Sequence, residues 1–176
     1  MAEEAKGHWV KARREDVLRT YPHLAEFLPF LDVLNGESPR GRVLVAASHL
    51  EYLLFEVLNA FMIEGKSREQ ILNGFNAPVA TFSAKIALCT ALGLINERER
   101  AECELIRKIR NKFAHNVHAT FDDDSIKDLS LSLSFRVEGE NAAVAFTSAA
   151  VALATNLTNR PHYVRLERLT LRPWRL

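Results

Sequence analysis

The residues best suited to chemistry in this 176-residue chain are gathered in one string, Arg107-Lys-Ile-Arg110-Asn111-Lys112-Phe-Ala-His115-Asn116. An arginine can grip a phosphate through two parallel hydrogen bonds, and an imidazole can give or take a proton near neutral pH. Together they suit recognition or cleavage of a phosphodiester. On an ideal helix Arg107, Asn111 and His115 share one face at i, i+4 spacing, while Arg110 lies roughly 140° from His115 around the axis. A plainer account is also open. Cations are favoured at a helix C-terminus by the macrodipole, and His115 could cap the last carbonyls there.

Other chemistry is less supported by spacing. His115 and His118 could ligate a metal at i, i+3, but no third ligand is placed by the sequence, and Asp122 to Asp124 more simply start the next element. No metal and no cofactor is therefore expected. Ser48 and His49 are adjacent without a nucleophile elbow, and the seven glycines form no phosphate-binding loop but mostly punctuate helices. Cys89 and Cys103 fall on different predicted helices without a CxxC pattern, as reduced, buried thiols do.

The string needs a helix to carry it. Asn96 caps that helix, with Glu99 three residues on, and Cys103, Ile106, Ile109 and Phe113 form its apolar stripe to about Asn116. Ser38-Pro39 opens a longer helix in which Val43, Ala46, Ala47, Leu50, Leu54, Val57, Leu58 and Phe61 recur at three and four residues; it should be the central core element. Ser67 to Gln70 has the spacing of a capping box, and Thr81 or Phe82 begins a helix that stops at Gly93. Near the start, Pro29 is expected to break a small helix, and residues 1–35 to cap the domain. Residues 131–147 are ambiguous: Ile126, Leu129 and Leu133 fit a helix, while alternation from Leu131 to Val137 and the turn at Glu138 to Asn141 fit a small β-hairpin. A last helix is predicted from about Ser148 to Asn159, ended by Pro161, with an extended run from Tyr163. The expected fold is mainly α: a single-domain helical bundle over 1–176, with a β-hairpin near 131–147 as an open option.

Composition agrees with a packed soluble domain. Hydrophobic residues make up 48% and charged residues 26%, and a chain this long buries about 70% of its unfolded surface. Met1 to Lys6 shows no leader pattern, and no later stretch is expected to reach the roughly 18 apolar residues of a membrane span. A cytoplasmic protein with no membrane association is expected. Charge is nearly balanced, yet residues 160–176 hold five arginines against Glu167 alone, a net +4 that reads as a solvated face or as a contact for an acidic partner.

Arg110 to His115 also resembles the R-x4-6-H motif of the HEPN superfamily, helical proteins that include many metal-independent ribonucleases. That resemblance implies His115 as acid or base, Arg110 as phosphate clamp, the RNA 2′-hydroxyl as nucleophile, and two subunits joining their motifs. A longer resemblance runs through Phe75-Asn-Ala-Pro78, Thr81-Phe-Ser83-Ala-Lys85-Ile, Ala91-Leu-Gly93-Leu-Ile95 and Ile106 to His115. In order and spacing it is similar to the mannitol operon repressor family, including its YggD-like branch, and it covers about a quarter of the chain. It implies a compact helical protein, without a recognisable helix-turn-helix, that represses sugar-alcohol uptake genes.

Two functions are thus expected in order. The first is a non-enzymatic, repressor-like transcriptional regulator acting through DNA or a regulatory protein partner, with Arg107, Arg110, Asn111, Lys112 and His115 as binding residues. The alternative is a HEPN-type ribonuclease with Arg110 and His115 catalytic. Both accommodate a homodimer.

Overall fold

Ser38 and Pro39 open the helix around which the others are packed. The Gly41 N–H donates to Ser38 Oγ (3.1 Å), and Pro39 occupies the first turn, where a missing N–H costs nothing. The computed structural model describes residues 14–20, 22–25, 27–74 and 76–174. Within it residues 14–20 are helical and a 3-10 turn, Pro22–Ala25, precedes α1 (Phe27–Gly36). The central helix α2 (Pro39–Phe61) follows, then α3 (Lys66–Leu72), α4 (Phe82–Ala91), α5 (Glu97–His115), α6 (Asp124–Leu131), α7 (Ala142–Thr158) and α8 (Arg160–Leu166). The all-α bundle expected from the sequence is what forms.

α2 packs against α1, α3, α4, α5, α7 and α8, and α6 closes over α5 and α7. Val43, Ala46, Leu50, Leu54, Val57 and Leu58 are fully buried along it. Against them α7 sets Ala145, Ala149, Ala150 and Ala154, small side chains that let the two backbones approach. Contrary to the expectation of no span-length apolar stretch, α2 is long and apolar enough to cross a bilayer; in the fold half of its most apolar window is buried against its neighbours.

Several expectations are corrected. Among the described residues no strand forms between 131 and 147: α6 ends at Leu131, turns follow, and α7 starts at Ala142 rather than Ser148. Asn141 is the reason, because its side chain accepts from the Val144 N–H (3.1 Å) and the alanine-rich run that follows has its buried residues at helical spacing. Pro29 does not break α1, since it falls in the first turn. Pro161 likewise sits in the first turn of α8, so the chain stays helical to Leu166 before becoming extended. Ser67 forms no capping box; the N-cap of α3 lies two residues earlier, at Gly65, whose φ of +142° is open to glycine.

The basic C-terminal run is not simply solvated either. Arg160 donates to Leu94 O (2.7 Å) and pairs with the buried Glu99 (2.7 Å). Arg168 Nε donates to Ala60 O (2.9 Å) and its guanidinium meets Glu64, while the Leu169 N–H donates to Phe61 O (2.9 Å). Together with Arg68 on Asn59 O (3.0 Å), these bonds satisfy carbonyls that the end of α2 leaves open. Arg175 lies outside the described residues.

His49 on α2 stacks on Phe30 of α1, with ring centroids 3.9 Å apart, and its Nε2 is buried without a hydrogen-bond partner. Burial lowers its pKa to about 4. Unfolded, the imidazole titrates near 6.5, so between these values the unfolded chain holds the extra proton and stability falls as pH falls. Urea midpoints at pH 7 and pH 5 should therefore drop more for the wild type than for His49→Phe; equal drops would assign the pH dependence to other groups.

Candidate functional site

α5 carries the reactive string and is fixed at both ends. At its start the Glu99 N–H donates to Asn96 Oδ1 and the Asn96 N–H donates to Glu99 Oε2, both at 2.9 Å, a complete capping box. Cys103, Ile106, Ile109 and Phe113 are buried along the predicted stripe. Burial raises the Cys89 thiol to about 12 and pushes Cys103 higher still, so neither is a nucleophile at neutral pH.

At its other end the open carbonyls meet a side chain that sequence reasoning missed. Arg40, from the first turn of α2, donates to Phe113 O (2.5 Å), Asn116 O (2.5 Å) and Val117 O (2.7 Å). Its guanidinium also lies 6.0 Å from the Phe113 ring centroid. His115, expected as a possible cap, makes no such bond and is exposed. A signal was present: a cation in the first turn of a helix opposes that helix's own macrodipole, so Arg40 suits a partner elsewhere.

The remaining polar residues divide between two faces. Arg107 Nε and Nη2 both donate to Glu104 Oε2 (3.1 and 2.8 Å). Arg110 Nη1 donates to Asn111 Oδ1 (3.1 Å), and its Nη2 lies 3.9 Å from Glu51 on α2. Glu51 in turn receives the buried Lys85 Nζ (2.9 Å), which also donates to Ala80 O (2.6 Å). Thr81 caps α4 by accepting from the Ala84 N–H (3.2 Å). Glu51, Thr81, Phe82, Ser83, Arg107, Arg110 and Asn111 line one cleft of about 270 Å³. Lys112 points elsewhere, to Ser125 Oγ on α6 (3.1 Å).

The cleft joins two strings far apart in sequence, Thr81 to Ser83 and Arg107 to Asn111. Phe75 lies outside the described residues. Arg110 is turned toward Glu51 inside the cleft, whereas His115 stands exposed at the last turn, well round the helix axis. Arg110 lines the cleft and His115 does not. Among the described residues no group of three or more His, Cys, Asp or Glu side chains is placed to hold a metal ion.

No family model and no curated protein matches this chain. Among solved structures, the X-ray structure of the MtlR–HPr complex from Escherichia coli is similar in fold, with a TM-score of 0.54 at 21% identity. The match covers 78% of this chain and 96% of that one. The architecture is thus MtlR-like.

The clamp at the end of α5 gives a direct test. Arg40→Ala removes three charge-assisted bonds to carbonyls and should cost about 1–3 kcal/mol in chemical denaturation. Arg40→Lys should recover only part, because a single ammonium lacks the planar fork. Amide exchange in the last turn of α5 should quicken in step; unchanged protection there would show that Arg40 does not hold it.

Proposed function

We propose that this chain is a non-enzymatic regulator of transcription, of the mannitol repressor type, which controls sugar-alcohol uptake genes by docking a regulatory protein on the face formed by α4 and α5. The observation that carries the reading is the cleft that brings together Thr81 to Ser83 with Arg107, Arg110 and Asn111, two of the strings on which the family resemblance rests. The likeness to a chain solved in complex with HPr supports a protein as the partner.

The charge arrangement favours protein over DNA. Arg107 lies against Glu104 and Arg110 beside Glu51, so two of the site's cations already have carboxylate neighbours. Arginines paired in this way neutralise few phosphates and release few counterions, the source of most non-specific affinity for a duplex. A protein surface, by contrast, can exchange partners with such pairs at close range.

The ribonuclease reading keeps one observation in its favour, the Arg110-to-His115 spacing itself. In a single copy Arg110 lines the cleft and His115 does not, so cleavage would draw on a second copy to complete the site.

Titration calorimetry with HPr as the probe should show binding that Arg110→Ala weakens at least tenfold and His115→Ala leaves nearly unchanged. Metal-free incubation with mixed single-stranded RNA should give no fragments ending in a 2′,3′-cyclic phosphate. Cleavage lost in His115→Ala would replace the regulator with the nuclease, and absence of both binding and cleavage would remove the docking reading.

A further inference from the structure

The charges around the cleft between α4 and α5 do not cancel. Arg107 is matched by Glu104, on which both of its bonds end. Glu51 has two cationic neighbours at unequal distances. Its Oε1 receives Lys85 Nζ at 2.9 Å, while its Oε2 lies 3.9 Å from Arg110 Nη2, beyond hydrogen-bond reach. Three cations thus share two carboxylates, and the surplus positive charge falls on Arg110.

Lys85 cannot meet a partner itself. Its side chain is 7% exposed, and its ammonium is pinned a second time by Ala80 O (2.6 Å). An ammonium taken out of water is costly unless it is paired, so Lys85 and Glu51 hold each other. With Lys85 removed, Arg110 would be the cation left to Glu51, and the two would close into an ion pair across the cleft.

Arg110 has an edge to offer. Its Nη1 donates to Asn111 Oδ1 (3.1 Å), and among the described residues its Nε and Nη2 make no hydrogen bond. These two groups form one side of the planar guanidinium, a fork that matches both oxygens of a carboxylate. The side chain is 34% exposed, unlike that of Lys85. A hydroxyl lines the same cleft. Thr81 Oγ1 accepts from the Ala84 N–H and lies 3.2 Å from Ser83 Oγ, so Thr81 can donate to Ser83 and leave the Ser83 proton for an occupant.

The size of the surplus selects the occupant. A carboxylate carries one negative charge and cancels it. A phosphate ester carries nearly two at neutral pH, and its excess would stand against Glu51 and Glu104. A cationic side chain would repeat the charge already in surplus.

We propose that Arg110 takes one acidic side chain, aspartate or glutamate, of the protein that docks on this face, and that Lys85 is the positioning residue that keeps Arg110 available by holding Glu51. The source of the carboxylate rests on the docking reading above; the charge balance stands without it.

Calorimetry with HPr tests the positioning role. Lys85→Met should weaken binding at least tenfold, although Lys85 is buried away from any partner. Adding Glu51→Gln removes the competing charge and should return the affinity to within about threefold of the wild type, with circular dichroism melts showing that both variants fold. No loss in Lys85→Met, or a loss that persists in the folded double variant, overturns the role given to Lys85.

A second measurement needs no partner. In the wild-type chain alone, with acetate as the probe, the Arg110 Nε–H resonance, assigned by its disappearance in Arg110→Lys, should shift to saturation. Inorganic phosphate should need a higher concentration to do the same. A shift that never saturates, or phosphate binding more tightly than acetate, overturns the carboxylate site. If HPr binds and acetate does not, the docking reading stands and this inference falls; if HPr does not bind, the docking reading falls and acetate alone decides the site.

Discussion

A helix is unfinished at both ends, and the way α5 is finished decides where its functional residues stand. Its first amides are closed by Asn96 and Glu99, and Glu99 is then held by Arg160 from α8. Its last carbonyls are closed by Arg40 from α2. Each clamp joins α5 to a helix distant in sequence, so closing its hydrogen bonds and placing it in the bundle are one event. Without them the last turn would fray, and the cleft would lose the register between Arg110 and Glu51.

The two clamping arginines share an unusual position. Arg40 and Arg160 both lie in the first turn of their own helices, beside Pro39 and Pro161, where a cation is locally unfavourable. Each is drawn instead to electronegative groups at an end of α5: carbonyls in one case, a carboxylate and a carbonyl in the other. The Glu99 pair is buried on the acidic side, and truncating either partner leaves an unpaired charge there. Lys85 and Glu51 repeat the pattern beneath the cleft, with the ammonium buried and Arg110 sharing the carboxylate at longer range. The polar network thus runs from the core to the site.

What could be read from the sequence was local. Ser38, Thr81 and Asn96 announce their helices because each cap closes on an amide three residues away. The stripes of α2 and α5 follow from helical spacing, and so does the list of polar residues on α5. Residues 131–147 are harder, since Leu131, Leu133 and Phe135 alternate like a strand while Leu131 closes α6 and the other two lie in the turns after it; tertiary packing on α5 and α7 overrides the pattern. Proline was misjudged at positions 29 and 161 because its effect depends on whether it falls in a first turn, which only the boundary reveals. Arg40 was missed because its partners lie more than 70 residues away. The division of Arg110 from His115 was already implicit in the helix angle, but not the side on which each would find a neighbour.

The fastening of α2 also sets an order of events. Its last carbonyls are covered by Arg168 and Leu169, and Arg168 bonds a residue 108 positions earlier. Only Arg68, which bonds Asn59 O, comes from nearby in the sequence. Contacts of such sequence separation are slow to form, because a long loop must be closed before they contribute. The central helix is therefore completed at its last turn only when residues 168 and 169 have joined the fold.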